Sequence, residues 1–122
     1  MRVVVADATA HVRSALHLLL EQHPGVTCVA EVATGSSLVA ALHSANADVV
    51  LVDSHVPELD NLAELVAKLR QAQPGLRVVV LSTRPEERER ALAAGADAFV
   101  SKGDAPEGLF ESLALADCSS AA

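Results

Sequence analysis

Four side chains of reactive type each stand at the end of an apolar run. Arg2-Val3-Val4-Val5-Ala6 ends at Asp7, and Asp48-Val49-Val50-Leu51-Val52 ends at Asp53. Arg77-Val78-Val79-Val80-Leu81 ends at Ser82, and Ala98-Phe99-Val100-Ser101 ends at Lys102. If these runs are parallel strands of one sheet, the polar groups gather on a single edge. Two carboxylates, a hydroxyl and an ammonium in one place suit a divalent cation beside a phosphoryl group. Ala8 is the odd residue, because a second acid after Asp7 would make a better cation site.

The elements that must position these groups follow from apolar spacing and punctuation. The pattern predicts a strand over 2–6, then a helix over 10–22 with Val12, Ala15, Leu16, Leu19 and Leu20 as its apolar stripe. His23-Pro24-Gly25 stops that helix, and Val26 to Val32 reads as a strand. A helix over 36–45 turns Leu38, Val39 and Leu42 inward. Residues 48–52 form a strand without alternation, as expected when both faces are covered. Asn61 and Glu64, at capping-box spacing, open a helix over 61–72. Pro74-Gly75 precedes a strand over 77–81. Thr83 and Glu86 are the expected capping pair of a helix over 84–94 that stops at Gly95. A fifth strand over 98–101 and a helix over 105–116, capped by Asp104 and Glu107, complete the pattern.

Strands alternating with helices in this way specify an α/β fold with helices on both faces of a parallel sheet. The expected architecture is flavodoxin-like: five parallel strands in the order 2-1-3-4-5 with five helices. That order sets the first and third strands side by side at the switch point. Asp7 and Asp53 become neighbours, Ser82 lies next along, and Lys102 closes the far side. Residues 1–117 are expected to form one domain, and 118–122 a tail or the start of a linker.

Composition narrows the function. The chain has 122 residues, enough to bury a core without staples, and 51% of them are hydrophobic. A net charge of −7 argues against direct contact with nucleic acid or an anionic membrane surface. No apolar run reaches the length of a membrane span, and the start lacks a signal-peptide layout. Cys28 and Cys118 form neither a disulfide framework nor a metal motif. A cytoplasmic location is expected.

The chain resembles the receiver domain of two-component response regulators over about residues 2–116, closest in phrasing to the NarL/FixJ type. Four stretches carry the resemblance: Val3-Val4-Val5-Ala6-Asp7, Asp48 through Asp53 to Pro57-Glu58-Leu59-Asp60, Val78 to Ser82, and Ala94 to Lys102. The resemblance implies that Asp53 accepts a phosphoryl group from a histidine kinase or a small phosphodonor. It implies that Lys102 and Ser82 contact that group, with the backbone at Thr83. Mg²⁺ would be held by Asp7, Asp53 and the carbonyl of His55. Ser82 and Phe99 would be the switch pair that remodels a protein-binding face. A helix-turn-helix output domain beyond this chain and a homodimer also fit the family. The only catalysis expected is weak self-phosphorylation and self-dephosphorylation.

Three departures from the family stand out. Ala8 takes the place of the usual second acid and is expected to weaken Mg²⁺. The connection after Ser82 is about two residues short near Thr83-Arg84-Pro85. Asn61 replaces a common Gly. A receiver that signals by protein contact, ligand binding or oligomerisation without phosphate is therefore an alternative. A phosphatase of the haloacid dehalogenase type is a lesser one, since it needs an acid where Thr9 stands. A flavin carrier lacks its phosphate loop.

Other polar residues have plainer readings. His11, His17 and His23 recur every six residues and scatter around a helix, which argues against a metal site among them. Glu86-Glu87-Arg88-Glu89-Arg90 reads as a solvated helix face. His55 and Arg84 are expected beside the phosphoryl pocket, Cys28 inside a strand, and Cys118 in an exposed tail.

Overall fold

A computed structural model describes residues 1–58 and 61–102. Its elements are β1 (Arg2–Ala6), α1 (Ala10–Glu21), β2 (Thr27–Val32), α2 (Gly35–Ser44) and β3 (Val49–Asp53). They continue as α3 (Leu62–Ala72), β4 (Arg77–Ser82), a 3-10 turn (Pro85–Glu87), α4 (Arg88–Ala93) and β5 (Ala98–Ser101). The predicted helix over 105–116 and the tail lie outside the described residues.

The five strands form one sheet in the order β2-β1-β3-β4-β5, and every neighbouring pair is parallel. The expected fold class and strand order are thus observed. Alternate residues divide the core in two, because successive strand side chains point to opposite faces. Val4, Ala6, Val50, Val52, Val78 and Val80 pack with Leu38 and Leu42 of α2 and Leu65 and Leu69 of α3. Val3, Val5, Val49, Leu51, Val79 and Leu81 pack on the other face with Leu16, Leu19 and Leu20 of α1. Each such valine or leucine contributes about 1.5–3 kcal/mol on full burial.

Register aligns the reactive edge. Ala6 pairs with Val52, which levels Asp7 with Asp53. Asp53 pairs with Leu81, one residue short of Ser82. Ser82 pairs with Ser101, one short of Lys102.

Local signals explain most boundaries. The Asn61 side chain accepts a hydrogen bond from Glu64 N–H at 3.2 Å, the predicted cap of α3. Thr34, not foreseen as a cap, accepts from Ser37 N–H at 3.1 Å and starts α2. Gly95 ends α4 at φ +107.

Two expectations fail. Ala15 is exposed, so the buried stripe of α1 is narrower than drawn. The single helix over 84–94 is instead a 3-10 turn followed by a short α-helix, and Thr83 does not cap it. Pro85 is the cause. It disfavours helical conformation in the residue before it, and Arg84 is extended at φ −115, ψ 103. The helical segment therefore starts on the proline itself.

Gly35 marks a close approach. A Cβ there would lie 2.9 Å from the Glu58 carbonyl oxygen, and Gly35 N–H already donates to Pro57 O at 2.8 Å. Gly35→Ala is expected to destabilise the fold by about 1–3 kcal/mol through backbone displacement. Urea denaturation measures this, and an unchanged midpoint would show that the loop after β3 yields freely.

Candidate functional site

At the carboxyl edge, Lys102 reaches back across the sheet from the end of β5. Its Nζ lies 2.6 Å from Asp7 Oδ2 and 2.7 Å from Asp53 Oδ1. One ammonium therefore bridges both carboxylates. Asp7 is only 3% exposed, and its Oδ1 accepts from Thr9 N–H at 2.9 Å. Asp53 Oδ2 accepts from His55 N–H at 3.1 Å. Arg13 of α1 donates to the Asp7 carbonyl at 2.5 Å. Burial pulls the Lys102 ammonium down, but hydrogen bonds and charge from Asp53 and Asp7 outweigh it and leave it above the usual lysine range.

Ser82 is 1% exposed and engaged by a residue read from sequence as surface charge. Its hydroxyl donates to Glu87 Oε1 and accepts from Arg84 N–H at 3.0 Å. Ser54 Oγ also donates to Glu87 Oε1, at 3.1 Å. His55 Nε2 lies 3.1 Å from Glu87 Oε2. The Glu87 side chain is only 13% exposed, which corrects the solvated-face reading at this residue. The Ser82 hydrogen bond holds the Glu87 carboxyl below the usual glutamate range; burial opposes this, and Ser54 and His55 reinforce it. The cause is again Pro85, whose 3-10 turn carries Glu87 back toward the sheet edge. A shortened connection ending in proline was the available clue.

The remaining predicted residues are placed as follows. The His55 side chain is 61% exposed and turned to Glu87. Its backbone lies in the turn closed by Val56 N–H to Asp53 O at 3.2 Å. Thr83 is exposed. Phe99 is 8% exposed and packs in the core on the α2–α3 face. Asp60 lies outside the described residues.

The donor set fits Mg²⁺, with one deficit. Asp7 and Asp53 converge on a single cationic group and offer the hard oxygens this ion prefers. Ala8 is exposed and offers no side-chain oxygen.

A parallel five-stranded sheet with two acids, a hydroxyl and a lysine at its carboxyl edge defines the CheY-like receiver class. The chain belongs to the response regulator receiver domain family, whose family model matches residues 3–114. It is 39% identical over 83 residues to protein-glutamate methylesterase/protein-glutamine glutaminase 1 of Paramagnetospirillum magneticum, covering 68% of this chain and 22% of that protein. It is 29% identical over 113 residues to the nitrate/nitrite response regulator protein NarL of Escherichia coli K12, covering 91% of this chain and 52% of that protein. The isolated REC domain of RcsB from Salmonella enterica serovar Typhimurium superposes with TM-score 0.81 at 27% identity, over 93% of this chain and 86% of that one. The chain thus spans between about a fifth and a half of these two curated relatives. Among the described residues no helix is long and apolar enough to cross a membrane.

Proposed function

We propose that the chain is a phosphoacceptor receiver in which Asp53 takes a phosphoryl group from a histidine kinase or a small phosphodonor. The observation carrying this reading is Lys102 bridged between Asp7 and Asp53 at 2.6 and 2.7 Å. An Asp53 oxygen attacks phosphorus, the bond to the donor's leaving atom breaks, and that atom takes the electron pair. Lys102 keeps a positive charge where negative charge accumulates. Ser82 donates to a phosphoryl oxygen once Glu87 releases it, with the Thr83 backbone beside it. Asp7, Asp53 and the His55 carbonyl would hold Mg²⁺, which neutralises phosphoryl charge when bound.

The affinity for that ion is weakened at Ala8. Ala8→Asp is expected to tighten Mg²⁺ about tenfold, equivalent to about 1.4 kcal/mol. Incubation with acetyl phosphate and Mg²⁺ should add the mass of one phosphoryl group, and Asp53→Asn should abolish it. If the wild-type chain stays unmodified at saturating Mg²⁺ and donor, while Ala8→Asp also fails, the phosphoacceptor reading is wrong.

The relatives suggest the setting. NarL is by name a response regulator, so an output domain such as a helix-turn-helix attached to this receiver, a cytoplasmic location and a homodimer fit the reading. The chain itself is read as a signalling module and not an enzyme. A phosphate-independent receiver is the second reading, favoured by one observation: Glu87 already occupies the Ser82 and Ser54 hydroxyls with an internal anion.

A further inference from the structure

A second cluster of ligating side chains lies away from the acidic edge, where α1 crosses the edge strand β2. In a regular strand, residues three apart point to opposite faces. Cys28 and Glu31 are three apart, yet their ligand atoms meet. The register of β2 slips between the pairs Val3–Cys28 and Val4–Ala30, leaving Val29 as the extra residue of a β-bulge. Val29 and Ala30 consequently both pack on the far core, and Glu31 returns to the side of Cys28. From α1, His17 and Glu21 present one face a turn apart. One ligand atom each from His17, Cys28 and Glu31 all lie within 4.8 Å of one another.

His17 is oriented as a ligand would be. Its Nδ1 is buried and makes no hydrogen bond, although Glu31 Oε2 is 3.0 Å away. The short separation is therefore an electrostatic contact without hydrogen-bond alignment. Nε2 lies 3.6 Å from Glu21 Oε1. With the ring proton on Nε2 facing Glu21, Nδ1 carries a lone pair beside the Glu31 carboxylate though not aimed at it, a repulsive contact that a cation shared by the two would relieve. Glu21 also accepts from Cys28 N–H at 3.4 Å, so it steadies both the imidazole and the cysteine backbone. A carboxylate behind a ligating histidine is the usual outer shell of a metal site. Burial and the Glu31 charge push the Cys28 thiol up, so a metal would have to displace its proton.

We propose that His17, Cys28 and Glu31 form a site for a thiophilic divalent cation of the zinc class, with Glu21 as its outer-shell carboxylate. Thiolate, imidazole and carboxylate together select Zn²⁺ over Mg²⁺, and three protein ligands leave one position for water. Zinc–ligand bonds of about 2.0–2.3 Å require the ligand atoms to close to roughly 3.5 Å, within reach of side-chain rotation. The cation would pin α1 to the sheet edge, independently of any chemistry at Asp53.

The test uses the full chain carrying Cys118→Ser, which leaves Cys28 as its one thiol. Titration with Co²⁺ should give a thiolate-to-cobalt charge-transfer band that saturates at one equivalent. One equivalent of Zn²⁺ should bleach it, and Zn²⁺ should raise the melting temperature. Adding Cys28→Ser should remove the band. His17→Gln and Glu31→Gln, verified as folded by circular dichroism, should each weaken Zn²⁺ at least tenfold, and Glu21→Gln by a smaller factor. Absence of the band at saturating Co²⁺ in the folded parent overturns the proposal. So does Zn²⁺ affinity unchanged by either His17→Gln or Glu31→Gln.

Discussion

Lys102→Met is expected to lower the unfolding free energy by about 3 kcal/mol and to abolish phosphoryl acceptance at Asp53. The ammonium contacts Asp7 Oδ2 and Asp53 Oδ1 together, and the two carboxylate side chains are 4% and 14% exposed. Without it, two negative groups face each other in a site that water reaches poorly. Removing one partner of a buried ion pair costs more than the pair itself contributes, because the stranded charge keeps its desolvation penalty. The deficit should depend on pH. Protonating either of the two carboxylates relieves their mutual repulsion, so the deficit should narrow in acid. Urea titrations at pH 5 and pH 7 measure it, and a deficit that widens in acid would contradict this account. Acetyl phosphate should leave the variant unmodified, since negative charge gathering at Asp53 has lost its nearby cation.

Glu87→Ala is expected to raise the extent of phosphorylation at fixed donor by about 10- to 100-fold. The carboxylate holds Ser82 Oγ and Ser54 Oγ and faces His55 Nε2. On the proposed function, a phosphoryl group on Asp53 draws on the Ser82 hydroxyl, which has one proton to donate. A hydrogen bond to a charged acceptor contributes about 1.5–3 kcal/mol, so breaking it first imposes a penalty of that order. Glu87 would also repel the incoming dianion. The pH dependence follows from its lowered carboxyl. The stabilisation from Glu87 is complete above the ordinary glutamate value and lost as pH falls through the lowered one. Phosphorylated fraction is read by mass, with Glu87→Gln separating charge from shape. If phosphorylation is unchanged or falls in Glu87→Ala, the carboxylate does not compete with phosphate, and the phosphate-independent reading gains.

The sheet was legible because its signal is local and redundant. Runs such as Val49 to Val52 are short, rich in β-branched valine and uniformly apolar, which favours covered strands over helix. Their ends at Asp7, Asp53, Ser82 and Lys102 placed the site, since parallel strands share one carboxyl edge. Glu87 was not legible, because the charge run around it matches a solvated helix, and only the turn begun at Pro85 brings it inward. The meeting of His17 with Cys28 and Glu31 was hidden for a different reason. A bulge changes strand parity, and no residue in Thr27–Val32 announces it.

Phe99 is the one phenylalanine among the described residues, and it lies 8% exposed among aliphatic side chains. The whole sequence contains no tryptophan or tyrosine. The protein is consequently almost dark in the near ultraviolet. An indole installed at Phe99 would be its sole strong emitter, reporting on the α2–α3 core without interference from another indole or a phenol.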